Sequence, residues 1–151
     1  MSKKGFTLIE LVIVFIIIGI CATLIAPGIG TWLPRYRLRN ATRDIVSTMR
    51  MAQLRAVSTG RTYQVSFPTG NTYALQYQTT TGLGPFPEGS TQTLPPGITM
   101  NTAGLPGGIA QFSSNSTCSG GSMTLSYLKG AVTQAQKGIS LNVATGRITI
   151  Q

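Results

Sequence analysis

The chain has 151 residues, 42% of them hydrophobic, with 12 Lys and Arg against 3 Asp and Glu, no His and a formal net charge of +9. Such a length suits one domain plus an appendage. Its acids, Glu10, Asp44 and Glu88, lie far apart, which leaves no His base, no local carboxylate pair and no His/Cys/Asp/Glu metal cluster. We therefore expect no enzyme, no cofactor and no metal site. The Gly-rich stretches also lack the GxxxxGK[ST] and strand-linked GxGxxG patterns that cradle phosphate. Cys21 sits in an apolar run and Cys118 in a polar loop, so both are expected to be free. Asn40-Ala-Thr and Asn115-Ser-Thr match the short glycosylation pattern.

The first element is an apolar run from Phe6 to Ile25, preceded by Lys3 and Lys4. It is long enough for a membrane span, which needs ~20 residues. A cleaved secretory signal would call for a shorter apolar core and a small-residue cut site; Ala22 to Ala26 offers a poor one, with Pro27 following directly. Glu10 stands inside the run. A carboxylate there costs roughly 2.5–3.5 kcal/mol on insertion scales, so it calls for a partner or for snorkelling to the interface. A cut after Gly5 would create an amine at Phe6, one turn from that carboxylate.

The string KKGFTLIELVIV resembles the class III signal of type IV pilins and pseudopilins. Gly5 fills the position before the cut, Phe6 the first mature position and Glu10 the fifth. The resemblance implies cleavage between Gly5 and Phe6 by a prepilin peptidase and N-methylation of Phe6. It also implies filament assembly through contact of Glu10 with the Phe6 amine of a neighbouring pilin. Pro27 matches a helix proline common in pilins. By a plain Lys/Arg count, Arg35, Arg37, Arg39 and Arg43 after the span would hold the C-terminal part inside. The resemblance places it outside, in the periplasm.

Pro27, Gly28, Gly30 and Pro34 predict a kink or a locally melted turn. From Arg35 to Thr59 the pattern is helical, and Gly60 is a natural stop. Leu38, Ala41, Ile45, Met49, Ala52 and Ala56 fall on one arc of the wheel, an apolar stripe able to cover a sheet. Arg35, Arg39, Arg43 and Arg50 cluster beside that arc, and Arg37 and Arg55 flank its other side. These arginines suit a solvated face with some intersubunit pairing, anionic lipid headgroups, or nucleic-acid phosphates. Tyr36 and Trp32 are the only nearby aromatics for stacking.

Beyond Gly60 the period changes to two. Tyr63, Val65 and Phe67, then Tyr73, Leu75 and Tyr77, predict a hairpin across Pro-Thr-Gly-Asn. Residues 79–97 read as a long loop with Glu88 its only charge. Weaker strands follow near Ile98–Met100 and Ile109–Ser113, then SMTLSYL, and then KGISLNV and RITI about an Ala-Thr-Gly turn. The predicted class is α+β: a long N-terminal helix, membrane-spanning then amphipathic, packed on a small antiparallel β domain. The expected divisions are a leader at 1–5, a transmembrane and filament-core helix at 6–26, a kinked amphipathic helix at 27–60 and a β domain at 61–151.

The order of pieces in this half resembles the GspH/FimT group of minor pseudopilins. Those pieces are Arg55-Ala-Val-Ser-Thr-Gly60, Phe112 with a Gly-rich insert before Gly120, and Leu141-Asn-Val-Ala-Thr-Gly146-Arg147. The resemblance implies a structural subunit of a type II secretion pseudopilus or a type IV pilus, at or near its tip. Its alternative is an anchored receptor for DNA uptake. Some members carry a G-R-x-R ending linked to that role; here it is Gly146-Arg147-Ile148-Thr149, without the second basic residue. The candidate anion or DNA contacts are Arg35, Arg39, Arg43, Arg50, Lys129, Lys137 and Arg147, the last also a candidate cap for its hairpin turn.

Overall fold

The computed structural model describes residues 6–69, 71–79, 81–130 and 132–151, with the backbone alone at 24–31. The leader expected at 1–5, including Gly5, and Gly70 of the first hairpin turn lie outside the described residues.

One helix, α1, runs from Leu8 to Thr59. It begins where Thr7 caps it: the Thr7 hydroxyl accepts the Glu10 N–H at 3.4 Å, and Glu10 lies in the first turn. Thr7-Leu8-Ile9-Glu10 thus has the spacing of a capping box, and an acid there favours the positive helix end. The helix stops at Gly60, whose φ of +68° is the left-handed conformation that glycine adopts without a Cβ penalty. Secondary structure stays helical through residues 27–34, so the locally melted turn expected from the prolines and glycines is absent.

The chain divides into two compact units, Met1–Pro34 and Arg35–Gln151. In the first, every described side chain from Phe6 to Thr23 is exposed, including Ile9, Phe15 and Ile18. Among the described residues, no helix is long and apolar enough to cross a membrane.

The second unit holds the rest of the helix and two antiparallel sheets. Strands β1 (Thr62–Thr69) and β2 (Thr72–Gln78) form the expected hairpin, pairing Val65 with Leu75 and Tyr63 with Tyr77. The other side of β1 pairs with β6 (Ile109–Phe112). Between lie β3 (Phe86–Pro87) and β4 (Gln92–Thr93), both hydrogen-bonded to β2, and β5 (Ile98–Gly104). Segment 79–97, expected to be a plain loop, is therefore tied to the sheet edge at two points. The second sheet has the order β5-β7-β8-β9, with β7 at Gly121–Lys129, β8 at Val132–Leu141 and β9 at Ile148–Ile150.

The amphipathic stripe meets these sheets. Leu38, Ala41, Ile45, Met49, Ala52 and Ala56 are all buried, joined by Val46 and by Thr42. Thr42 is tolerated inside because its hydroxyl donates to the Leu38 carbonyl at 2.8 Å. Val65, Phe112, Met123, Leu125 and Ile139 supply the opposing surface. Each such large side chain contributes about 1.5–3 kcal/mol by leaving water. The expected loop thiol Cys118 is instead buried, its Sγ 3.1 Å from the Asn142 carbonyl oxygen, because an isolated bridge pairs it with Phe112. Cys21 is free and exposed. Val143 was expected to continue the alternation of β8; the strand ends at Leu141 and Val143 is exposed.

Candidate functional site

Two groups of residues carry chemistry. The first heads the helix. Phe6 precedes it with an exposed side chain, and Glu10 is exposed one turn in. Thr7, which sequence reasoning passed over, connects them through its cap on the Glu10 N–H. The signal for it was present as Thr-x-x-Glu before an apolar run.

The second group lines a groove of about 500 Å³ on the Arg35–Gln151 unit. Arg35, Arg39 and Arg43 stand one helical turn apart along one wall, and Lys137 of β8 joins them from the other. Sequence reasoning named all four, yet only folding brings the strand lysine to the helix. Leu38, Ala135 and Ile150 supply apolar surface within the groove. No acid is found among its described lining residues. The other candidates do not line it. Arg50 is exposed on α1, Lys129 ends β7, and Arg147 is exposed between β8 and β9.

The turn around Arg147 is capped differently from expectation. The Asn142 side-chain oxygen accepts the N–H groups of Ala144 and Thr145 at 3.1 and 3.2 Å, and the Asn142 N–H donates to the Arg147 carbonyl at 3.0 Å. Asn142 thus organises the turn, while Arg147 contributes its backbone. Gly146 has a φ of +60° and packs so closely on Ser116 and Gln53 that a Cβ would collide with both.

A second cavity, of about 730 Å³, holds the acids left over. Arg55 donates to Glu88 in an ion pair that ties segment 79–97 to the helix, and Asp44, Thr48 and Tyr73 line the same cavity. The second carboxylate oxygen of Glu88 is buried near the Tyr63 phenol and has no hydrogen bond of ordinary geometry among the described residues. Burial pushes the Tyr63 phenol up, aided by the neighbouring Glu88 carboxylate and opposed by Thr59 and Arg55. Burial also pushes the Tyr73 phenol up, aided by Asp44 and opposed by Thr48.

Residues 1–26 match the family model described as the prokaryotic N-terminal methylation motif. No curated protein sequence matches the chain. Among solved structures, it is similar to the minor pseudopilin EpsH from the type 2 secretion system of Vibrio cholerae. That match has 12% identity and a TM-score of 0.61, covering 76% of this chain and 96% of that one. It is also similar to the type IV minor pilin FimU of Pseudomonas aeruginosa, at 16% identity and a TM-score of 0.57, over 78% of this chain and 90% of the other. At these identities the likeness shows the fold. The chain therefore joins a prokaryotic N-terminal methylation motif to a pilin-like α+β fold, in which a long helix leads into an antiparallel β domain.

Proposed function

We propose that this chain is a minor pseudopilin, a structural subunit and not an enzyme. In this reading residues 6–26 span the bacterial inner membrane once and the C-terminal domain lies in the periplasm. Prepilin peptidase cuts after Gly5, Phe6 is N-methylated, and the processed chain joins other pilins or pseudopilins through its N-terminal helix. The filament is a type II secretion pseudopilus or a type IV pilus, with this subunit at or near the tip. The supporting observation is the bare helix: every described side chain from Phe6 to Thr23 is exposed, most of them large and apolar. A surface of that kind requires lipid or the helices of other subunits.

Glu10 has a role within one chain, as the third residue of a capped helix, and a proposed role between chains, as partner of a Phe6 amine. Glu10→Gln separates them. Glutamine keeps the capping-box geometry but removes the charge. The reading requires Glu10→Gln to be cleaved normally yet missing from sheared filaments; assembly at the wild-type level would defeat it. Gly5→Ala should leave a larger, unassembled species. A deletion that spares transformation but abolishes secretion would assign the chain to the secretion machine, and the reverse to a pilus. The DNA-receptor alternative draws on the same arginines. The incomplete tail, and the standing of Lys129, Arg50 and Arg147 outside the groove, do not favour it.

A further inference from the structure

The groove beside Arg39 has one wall that is an unpaired strand edge. β8 is ten residues long, but β9 pairs only with its last three, Ile139–Leu141. Gly138 then exchanges two backbone hydrogen bonds with Gln151, at 3.3 and 2.8 Å. From Val132 to Lys137, no described strand pairs with β8 on that side. Two residues before Gly138, Gln136 directs its N–H and C=O to the same open side. Ala135, Gln136 and Lys137 all border the groove that Arg35, Arg39 and Arg43 line opposite.

We propose that this groove is a docking site for an extended, acidic segment of another protein, which adds as a strand to the free edge of β8. Main-chain hydrogen bonds to an open edge supply affinity, and side chains at alternate positions supply specificity. The spacings agree. Same-face side chains of an added strand repeat at about 6.7 Å. Arginines four apart on a helix repeat at about 6 Å. Acids at alternate positions of the segment would therefore meet Arg35, Arg39 and Arg43 in turn, with Lys137 on the strand wall. A lysine at a strand edge ordinarily discourages unwanted pairing. Flanked by three arginines, it selects for an acidic strand and against a basic one.

A second copy of this chain cannot be the occupant. It has only three acids: Glu10 in the apolar helix, Asp44 on α1 and Glu88, already paired with Arg55. None lies in an alternating acidic run. Nucleic acid is disfavoured because no aromatic is found among the described lining residues for stacking and part of the groove surface is Leu38, Ala135 and Ile150. The site lies wholly within the Arg35–Gln151 unit, so it stands whether or not the filament reading holds.

The test uses the full chain in detergent micelles and a fluorescein-labelled nonapeptide of alternating Thr or Val and Glu. Anisotropy should show saturable binding that weakens on the order of tenfold when Gln replaces Glu in the peptide, and comparably with Arg39→Gln. Gln136→Pro removes the outward N–H and should also abolish binding; circular dichroism checks its fold. In the unaltered chain, the peptide should slow amide exchange over residues 132–138. Absence of binding would overturn the proposal. So would duplex DNA or phosphatidylglycerol vesicles displacing the peptide while Gln136→Pro and the exchange at 132–138 stay unaffected, which would make this a general polyanion surface.

Discussion

Replacing Gly146 by Ala tests whether the Gly-Arg pair near the C-terminus is built for packing. Gly146 adopts φ +60°, and a Cβ there would fall inside van der Waals contact with the Ser116 carbonyl oxygen and the Gln53 side chain. The left-handed conformation costs a non-glycine residue about 1–2 kcal/mol. The Gln53 amide ends a flexible side chain and can yield. The Ser116 carbonyl belongs to a turn closed by the Ser116 N–H to Ser113 O and Ser113 N–H to Thr117 O bonds, at 3.1 and 2.9 Å, and resists. Forcing that contact adds about 1–3 kcal/mol. The expected loss is thus about 2–5 kcal/mol, a fall in Tm on the order of 10 °C for a unit of this size. Arg147→Gln, at an exposed side chain, should stay within about 0.5 kcal/mol. Thermal denaturation of the full chain in detergent, followed through its β signal, measures both. Gly146→Ala as stable as wild type would refute this packing account.

Three further outcomes follow from the core and its titrating groups. Ile45→Ala, at a fully buried point of the helix stripe, should cost about 2–5 kcal/mol in denaturant unfolding, whereas Leu54→Ala, 71% exposed, should cost far less. Glu88→Gln should cost under about 1 kcal/mol and blunt the salt dependence of unfolding, because the Arg55 and Glu88 side chains keep 41% and 31% exposure. Tyr63 and Tyr73 are held above the ordinary phenol value of 10.0, first by burial. Their neutral forms therefore contribute stability that is full below pH 10 and lost as pH rises through 10 toward the folded-state values. Unfolding midpoints measured from pH 8 to 11 should decline accordingly, and Tyr73→Phe should flatten that decline.

What the sequence disclosed was governed by local periodicity. Six apolar positions on one arc predicted six buried side chains, since a helix that covers a sheet has little freedom in which face it turns inward. Gly60 and the first hairpin were legible for similar reasons: a left-handed stop and a strict period of two. Features set by distant partners were hidden. The two short strands within 79–97 exist because β2 offers them an edge, and nothing in Phe86-Pro87 or Gln92-Thr93 announces that. Cys118 reads as polar loop until it pairs with Phe112. The groove joins Lys137 to arginines of a helix nearly a hundred positions earlier, so its cations were visible singly but not as a site. Asn142 displaced Arg147 as organiser of its turn because a short side chain reaches the local N–H groups.

The most direct test of the central claim is the intact mass of the chain recovered from sheared filaments of cells that hold prepilin peptidase. The account predicts a polypeptide that begins at Phe6, lacks Met1 to Gly5 and carries one added methyl group at its amine. Filaments in which the chain still begins at Met1, or a processed chain found only in membranes and never in filaments, would contradict it.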